Sequence, residues 1–236
     1  NHFETKISTF LSQLLTENTI ESAYKSSIAT IWKDRVAKHQ EYTARIPFSD
    51  FKVFDFICQN VPKNSQLQVS NSSAIRYLQL FDLDKSIQVF CNRGTSGIDG
   101  STSTAIGAAL ATNLPTILIT GDISFLYDSN ALWNNYIPKN FKIILLNNSG
   151  GGIFRILPGH QETETFNTYF ETSHQLNASH LAKMYGFDYF EANDEATLQQ
   201  QYKSFLNQNE KPSILEIFTP EKENNGILLE FFRGLK

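Results

Sequence analysis

Two stretches at the start of the chain carry apolar residues at helical spacing. The first contains Phe3, Ile7, Phe10, Leu11 and Leu14. Because residues three or four apart share one face of a helix, the pattern predicts helices over residues 3–15 and 20 to about 45. Polar residues then lead to Pro47, and proline is typical of a helix end. We interpret residues 1–46 as a helical arm that ends a preceding domain, and residues 47–236 as one α/β domain.

From residue 48 onward, short β-rich runs alternate with helical patterns. Strands are predicted over residues 66–70, 87–91, 116–120, 142–146, 187–191 and 213–218. Helices are predicted between them over residues 49–59, 74–81, 103–112, 124–136, 178–185 and 195–207, with a closing helix over 227–235. Alternation at this spacing is typical of a mostly parallel central sheet with helices on both faces. The fold class predicted is therefore α/β.

The segment 158–176 breaks this regularity. It is polar, contains scattered aromatic residues and shows no clear period. In a compact domain, a connection of this length is usually functional. We therefore expect a functional loop or lid here.

Composition narrows the classes of partner. Hydrophobic residues make up 41% of the chain, which is enough for a sizeable core. The net charge is −4 without blocks of like charge, which argues against nucleic acid as the main partner. The two cysteines lack the spacing of a zinc site. Apolar runs are too short for membrane insertion and a signal peptide pattern is missing, so a cytoplasmic location is expected.

Three predicted strands are followed by unusual polar or glycine-rich segments. They are 92–100 after the second strand, 121–124 after the third and 147–152 after the fourth. Ligands of open parallel sheets bind at the carboxyl ends of the strands, beside helix N-termini. If these strands are neighbours, all three segments converge on one edge of the sheet.

The second and third segments together suggest a metal site. Gly121 allows a sharp turn and a close approach to a ligand, Asp122 offers a carboxylate and Asn148 offers an amide oxygen. Glycines after Asn148 can turn a backbone carbonyl inward. These hard oxygen ligands suit Mg²⁺, or Mn²⁺, together with diphosphate oxygens. Taken alone, the first of these segments is more often a turn with an Asp helix cap, and the second is usually a surface turn.

Gly-Asp followed after roughly 30 residues by Asn-Asn resembles the binding signature of thiamine-diphosphate enzymes. Here it reads Gly121-Asp122 and Asn147-Asn148, with Ile123 where many relatives have glycine. The stretch Asn92-Arg-Gly-Thr-Ser-Gly-Ile-Asp-Gly100 narrows the resemblance to the 2-succinyl-5-enolpyruvyl-6-hydroxy-3-cyclohexene-1-carboxylate synthases of menaquinone biosynthesis. The resemblance covers about residues 48–236 and implies the thiamine-diphosphate-binding fold.

The resemblance implies a role for each matching residue. Metal ligands would be Asp122, Asn148 and the carbonyl of Gly150. Further contacts with thiamine diphosphate would come from Gly121, Ile123, Ser124, Ser96, Gly97, Ile98, Gly151 and Ile153, with Ile98 holding the cofactor in its bent shape. Substrate contacts would come from Ser72, Arg76, Arg93, Ile153, Phe154 and Leu157. Arginine suits the substrates, since 2-oxoglutarate and isochorismate are multiply charged acids.

The resemblance also implies what this chain lacks. The family decarboxylates 2-oxoglutarate and adds the remaining unit to isochorismate, and it activates thiamine with a Glu from a separate N-terminal domain across a subunit interface. We expect no catalytic residue of that kind here. The chain alone should therefore bind cofactor weakly and be inactive, and the full protein should be a homo-oligomer, either a dimer or a tetramer.

Other interpretations stay open at this point. The metal motif also fits an acetolactate synthase or a 2-oxo acid decarboxylase, and the fold alone fits a non-catalytic α/β module. A nucleotide-binding domain fits poorly, because the phosphate-binding GxxxxGK[ST] loop is missing. Arg76 could be a solvated helix residue, Ile98 an ordinary core contact and His174 a structural residue.

Overall fold

The computed structural model describes residues 6–17 and 23–235. The two predicted N-terminal helices are α1 (Ile7–Glu17) and α2 (Ala23–Arg45). Phe3 and Ile20, the predicted first residues of these helices, lie outside the described part of the chain. Of the helices that are described, none is both long enough and apolar enough to cross a membrane.

The six described strands form one sheet in which every pairing is parallel. They are β1 (Gln66–Val69), β2 (Gln88–Cys91), β3 (Thr116–Gly121), β4 (Lys142–Asn147), β5 (Asp188–Ala192) and β6 (Ser213–Phe218). Their order across the sheet is β2-β1-β3-β4-β6-β5. Each lies within a residue of its predicted position, and the predicted α/β fold class is confirmed.

The helices of the domain are α3 (Asp50–Asn60), α4 (Ser73–Leu78), α5 (Ser101–Leu110), α6 (Asp122–Tyr127), α7 (Ser179–Tyr185), α8 (Glu195–Asn207) and α9 (Asn224–Gly234). The helix predicted over 124–136 is wrong in its extent: α6 ends early and a 3-10 helix, Ser129–Trp133, follows. Asp128 lies at the break. Its carboxylate accepts the N–H of Ser103 at 2.7 Å and so caps the start of α5.

The core consists of two apolar clusters. One contains Ile117, Ile119 and Ile144, and the other contains Leu118, Ile143 and Leu145. Since alternate residues of a strand point to opposite faces, β3 and β4 contribute to both clusters. Their near-continuous apolar sequences are typical of central strands covered on both faces.

The end of the arm packs onto the domain. Tyr42 and Ile46 are buried in one of the core clusters. The Tyr42 hydroxyl donates to the carbonyl of Ile227 in α9 at 2.5 Å. By contrast, Ile7 in α1 is 78% exposed. The arm is therefore joined to the domain at the end of α2.

The strand order reverses direction between β1 and β3. The chain places β2 on one side of β1, and then continues with β3 on the other side. Such a reversal opens a crevice at the carboxyl ends of the two strands, where ligands of open α/β sheets bind. The fold thus predicts the position of a binding site before any side chain is considered.

Candidate functional site

A cavity of about 270 Å³ lies at this reversal. Its lining comes mainly from the segments that follow β1, β3 and β4. The predicted site residues that line it are Ser72, Ile98, Gly121, Asp122, Ile123, Ser124, Asn148, Gly150, Gly151, Ile153 and Phe154. The two halves of the thiamine-type motif therefore meet at one cavity.

Asp122 is buried at the start of α6, directly after β3. One carboxylate oxygen accepts the N–H of Ile123 at 2.7 Å, and the other accepts the N–H of Gly150 at 3.0 Å. The second bond joins the segment after β3 to the segment after β4. Asp122 is thus held in place by two backbone groups at the edge of the cavity.

Asn148 follows β4 and lines the same cavity. Its amide nitrogen donates to the carboxylate of Asp50 at 3.0 Å. Burial raises the pKa of Asp50 to about 6, and the hydrogen bonds from Thr219 and Asn148 oppose this rise. Asp50 was not identified as a site residue from the sequence, because Ser49 and Asp50 indicate only the beginning of a helix there.

The Gly150 backbone is close to the segment 158–176. Gly150 has a φ of +155°, and a Cβ atom there would lie 2.7 Å from the carbonyl oxygen of Glu171. The N–H of Gly151 donates to that same carbonyl at 2.5 Å. Glycine is therefore required at position 150 for two reasons: a side chain would clash with the Glu171 carbonyl, and the φ value favours glycine.

A buried ion pair joins the 3-10 helix Gly152–Ile156, which follows β4, to the segment 158–176. Arg155 binds both carboxylate oxygens of Glu171, and its remaining terminal nitrogen binds Glu162. Arg155 and Glu171 are buried, whereas Glu162 is exposed. Paired geometry of this kind is specific and strong. Neither residue of the buried pair was identified from the sequence.

The segment 158–176 contains a π-helix, Phe166–Glu171. Tyr169, Phe170 and Thr172 line the cavity. Their placement is consistent with the expected functional loop. Since π-helices are rare and occur often at functional sites, the local distortion points in the same direction.

His174 lies beside Asp122. Its Nε2 atom is 3.3 Å from Asp122 Oδ2, and its Nδ1 atom accepts the N–H of Leu176 at 3.1 Å. Contact with the Asp122 carboxylate raises the pKa of His174 above its usual value. His174 therefore lies against the Asp122 carboxylate, at the end of the segment 158–176.

The segment after β2 reaches the cavity only in part. β1 separates β2 from β3, so the three strands that precede these segments are not all neighbours, although every strand ends at the same edge of the sheet. The segment that lies beside the end of β3 and lines the cavity is instead the one after β1. Ile98 still lines the cavity, and its carbonyl accepts the Ser124 hydroxyl at 2.5 Å.

The two predicted substrate arginines are exposed and do not line the cavity. Arg93 donates to the side chain of Asn71 at 2.7 Å, and Arg76 donates to the carbonyl of Ser72 at 2.8 Å. Asn71 also donates to the carbonyl of Ser96. Asn71 is a buried lining residue that the sequence did not reveal.

Three other predicted residues also lie outside the lining: Ser96, Gly97 and Leu157. Leu157 is exposed and lines a shallower depression with Phe154. The conformational argument for Gly121 is wrong, because its φ of −86° suits any residue. A Cβ atom at Gly121 would meet nothing within 4 Å, so glycine there leaves space beside the cavity.

The lining fits a divalent cation bound with an anionic ligand. Asp50 and Asp122 are acidic, and the described lining residues include neither Lys nor Arg. Such a lining repels a diphosphate unless a cation lies between them. The described residues contain no group of three or more His, Cys, Asp or Glu side chains that could hold a metal. The expected site needs only one carboxylate, with amide and backbone oxygens as its other ligands.

Comparisons with known proteins identify the family of the chain. The family described as thiamine pyrophosphate enzyme, C-terminal TPP binding domain, matches residues 71–217. The chain is 60% identical over 235 residues to the 2-succinyl-5-enolpyruvyl-6-hydroxy-3-cyclohexene-1-carboxylate synthase of Flavobacterium johnsoniae, covering 99% of this chain and 42% of that protein.

Two further synthases of the same name are also similar. The one from Flavobacterium psychrophilum is 63% identical over 235 residues, which cover 99% of this chain and 42% of that protein. The one from Bacteroides fragilis is 41% identical over 193 residues, which cover 81% of this chain and 35% of that protein. This chain spans less than half the length of these relatives. The resemblance predicted from the motifs is confirmed.

Proposed function

Since the chain belongs to the thiamine pyrophosphate enzymes as their C-terminal cofactor-binding domain, we propose that it holds the diphosphate end of that cofactor in a synthase. The main support for this proposal is that one cavity is lined by Asp122, directly after β3, and by Asn148 and Gly150, which follow β4. Mg²⁺, or Mn²⁺ in its place, binds Asp122, Asn148 and the carbonyl of Gly150. The charge of the lining supports this assignment, because a bare diphosphate would be repelled.

The other predicted cofactor contacts follow from the same arrangement. Ile98 and Ile153 line the cavity and provide apolar surface for the organic part of the cofactor. Ser124 lies at the start of α6, where helix N–H groups favour phosphate oxygens. Gly121, Ile123 and Gly151 are also in the lining. Ser96 and Gly97 act through the position of Ile98.

The proposed reaction is decarboxylation of 2-oxoglutarate followed by addition of the remaining unit to isochorismate, in menaquinone biosynthesis. Thiamine diphosphate, when bound, supplies the carbon centre that stabilises the electron pair released by decarboxylation. The names of the similar synthases and the arginines beside the cavity support this reaction. Arg76 and Arg93 bind substrate carboxylates, and Ser72 adds a hydroxyl. Phe154, Ile153 and Leu157 form the apolar wall beside the substrate.

The chain alone is proposed to be inactive. Thiamine activation needs a carboxylic acid against the pyrimidine ring. The described lining contains Asp50 and Asp122 at the metal side and no Glu. We place the activating Glu in another domain of the full protein, contributed across a subunit interface of a dimer or tetramer in the cytoplasm. Residues 1–46 would then be the end of the middle domain.

The test is calorimetric titration of the full-length protein with thiamine diphosphate and Mg²⁺, beside an Asp122→Ala variant. We expect metal-dependent binding that the variant loses. Product formation from 2-oxoglutarate with isochorismate should follow the same dependence, and pyruvate should not replace 2-oxoglutarate.

Metal-independent binding, or full binding by Asp122→Ala, would contradict the metal site. Efficient use of pyruvate would favour an acetolactate-type reaction. The isolated chain provides a further check, since turnover by it would show that the activating acid lies within these residues.

A further inference from the structure

Asp50 is a buried carboxylate for which the proposed function has no role. It is the first residue of α3, with Ser49 as the N-cap. It lies 3% exposed and also lines the cavity beside Asn148. Buried carboxylates are uncommon unless they are paired or hydrogen-bonded, so this one requires an explanation.

Asp50 is held by three elements. Its Oδ1 atom accepts the hydroxyl of Thr219 at 2.6 Å, directly after β6. Its backbone N–H donates to the side chain of Asn224, at the start of α9, at 2.8 Å. Thr219 in turn donates its N–H to the carbonyl of Asn147 at 3.0 Å. The Asp50 carboxylate therefore has a fixed position relative to the end of β4.

The remaining Asp50 oxygen, Oδ2, accepts the amide nitrogen of Asn148 at 3.0 Å. An ionised carboxylate accepts hydrogen bonds and cannot donate them, so the nitrogen of the amide must face Asp50 and the oxygen must face away. Without this partner, an amide can rotate so that nitrogen and oxygen exchange places. A metal ligand at Asn148 requires the oxygen, because an amide N–H₂ group does not bind Mg²⁺.

We propose that Asp50 is a positioning residue that sets the orientation of the Asn148 amide, so that its oxygen is available to the metal. This inference rests on the proposed function, since Asn148 is a ligand only in that function. Such outer partners fix the geometry of ligands, and their removal commonly weakens metal binding 10- to 100-fold. Asp50 also adds negative charge near the cation.

The experiment measures Mn²⁺ affinity by electron paramagnetic resonance on the full-length protein in the presence of thiamine diphosphate. Asp50→Ala removes the acceptor and should weaken Mn²⁺ binding at least tenfold. Asp50→Asn keeps an oxygen that can accept from Asn148, and should recover most of the affinity. The rescue distinguishes a hydrogen bond from a general effect of packing.

The matched control is Asp84→Ala. Asp84 precedes β2 and pairs with Lys63, which precedes β1, so both lie at the amino ends of the strands, opposite the cavity. This variant removes one carboxylate from the protein without changing the site, and Mn²⁺ affinity should stay unchanged. Thermal unfolding of each variant without metal identifies any loss of fold. Asp50→Leu, which also lacks an acceptor but fills the space, replaces Asp50→Ala if that variant does not fold.

Wild-type Mn²⁺ affinity in Asp50→Ala would overturn the inference. Equal losses in Asp50→Asn and Asp50→Ala would overturn the hydrogen-bond role and assign the effect to charge. Asp122→Ala serves as the reference for the proposed function. If the wild-type protein binds no Mn²⁺ with thiamine diphosphate, or if Asp122→Ala binds it normally, then the proposed function fails rather than the role of Asp50.

Discussion

The two sides of the cavity differ in how their polar side chains are held. On the metal side, Asp122 is buried and bonded to the backbone of Ile123 and Gly150, and Asn148 is bonded to Asp50. On the arginine side, which comprises the segments after β1 and β2, Arg93 is exposed and bonded to the side chain of Asn71.

This difference indicates that the two sides respond differently when a ligand binds. The metal side is fixed by contacts within this chain, so its geometry exists before any ligand binds. The arginine side keeps its charged groups in solvent, where an arginine can rearrange at small cost. We therefore expect substitutions on the metal side to change stability and metal binding together. Substitutions on the arginine side should change substrate use and leave metal binding unchanged.

The largest effect is expected from breaking the ion pair between Arg155 and Glu171. Glu171→Gln leaves a buried arginine without its main partner and should lower the free energy of unfolding by about 3–4 kcal/mol. Urea denaturation of the full protein measures this change. Glu162→Gln is the matched control, because it removes the exposed partner of the same arginine. It should cost less than about 1 kcal/mol. Equal losses would contradict the assigned importance of the buried pair.

Gly150→Ala should have the next largest effect. The added Cβ would meet the Glu171 carbonyl at 2.7 Å, so either the segment after β4 or the segment 158–176 must shift. We expect a loss of about 2–3 kcal/mol of stability, together with loss of Mn²⁺ binding.

The control for this change is Gly159→Ala. Gly159 also has a positive φ, +85°, but its Cβ would meet nothing within 4 Å. It should cost about 1 kcal/mol and leave Mn²⁺ affinity unchanged. Unchanged metal binding in Gly150→Ala would show that the close approach is not needed for the site.

Arg93→Ala tests the arginine side. Because Arg93 is exposed, its removal should change stability by no more than about 0.5 kcal/mol. The KM for a substrate should rise about tenfold, equivalent to about 1.4 kcal/mol, while Mn²⁺ affinity stays the same. Steady-state kinetics with each substrate varied in turn identifies which acid Arg93 binds. Weakened Mn²⁺ binding would remove the distinction between the two sides.

The smallest expected effect is a gain in stability from Ser72→Gly. Ser72 lines the cavity with φ of 74° and ψ of −132°, a conformation that favours glycine. Relief of this conformation should stabilise the protein by about 1 kcal/mol. If Ser72 binds substrate as proposed, activity should fall although stability rises. Thermal unfolding and kinetics on the same preparation compare the two, and a loss of stability would contradict the assigned strain.

The sequence by itself determined the strands and most helices of the domain. Apolar periodicity is a local property, so the ends of β6 and α8 match their predicted positions. The same reasoning found Asp122 and Asn148, because both directly follow apolar strands. The motif around these two residues also identified the family to which the chain is similar.

Only the tertiary structure decided which segments meet. Apolar patterns state which face of an element is buried, and they do not state which element lies beside it. The placement of β1 between β2 and β3 brings Asn71 to the cavity and leaves Arg93 at its margin. Asp50 and Asn148 are 98 positions apart in the chain, and their hydrogen bond exists only because the folded sheet places the start of α3 beside the end of β4.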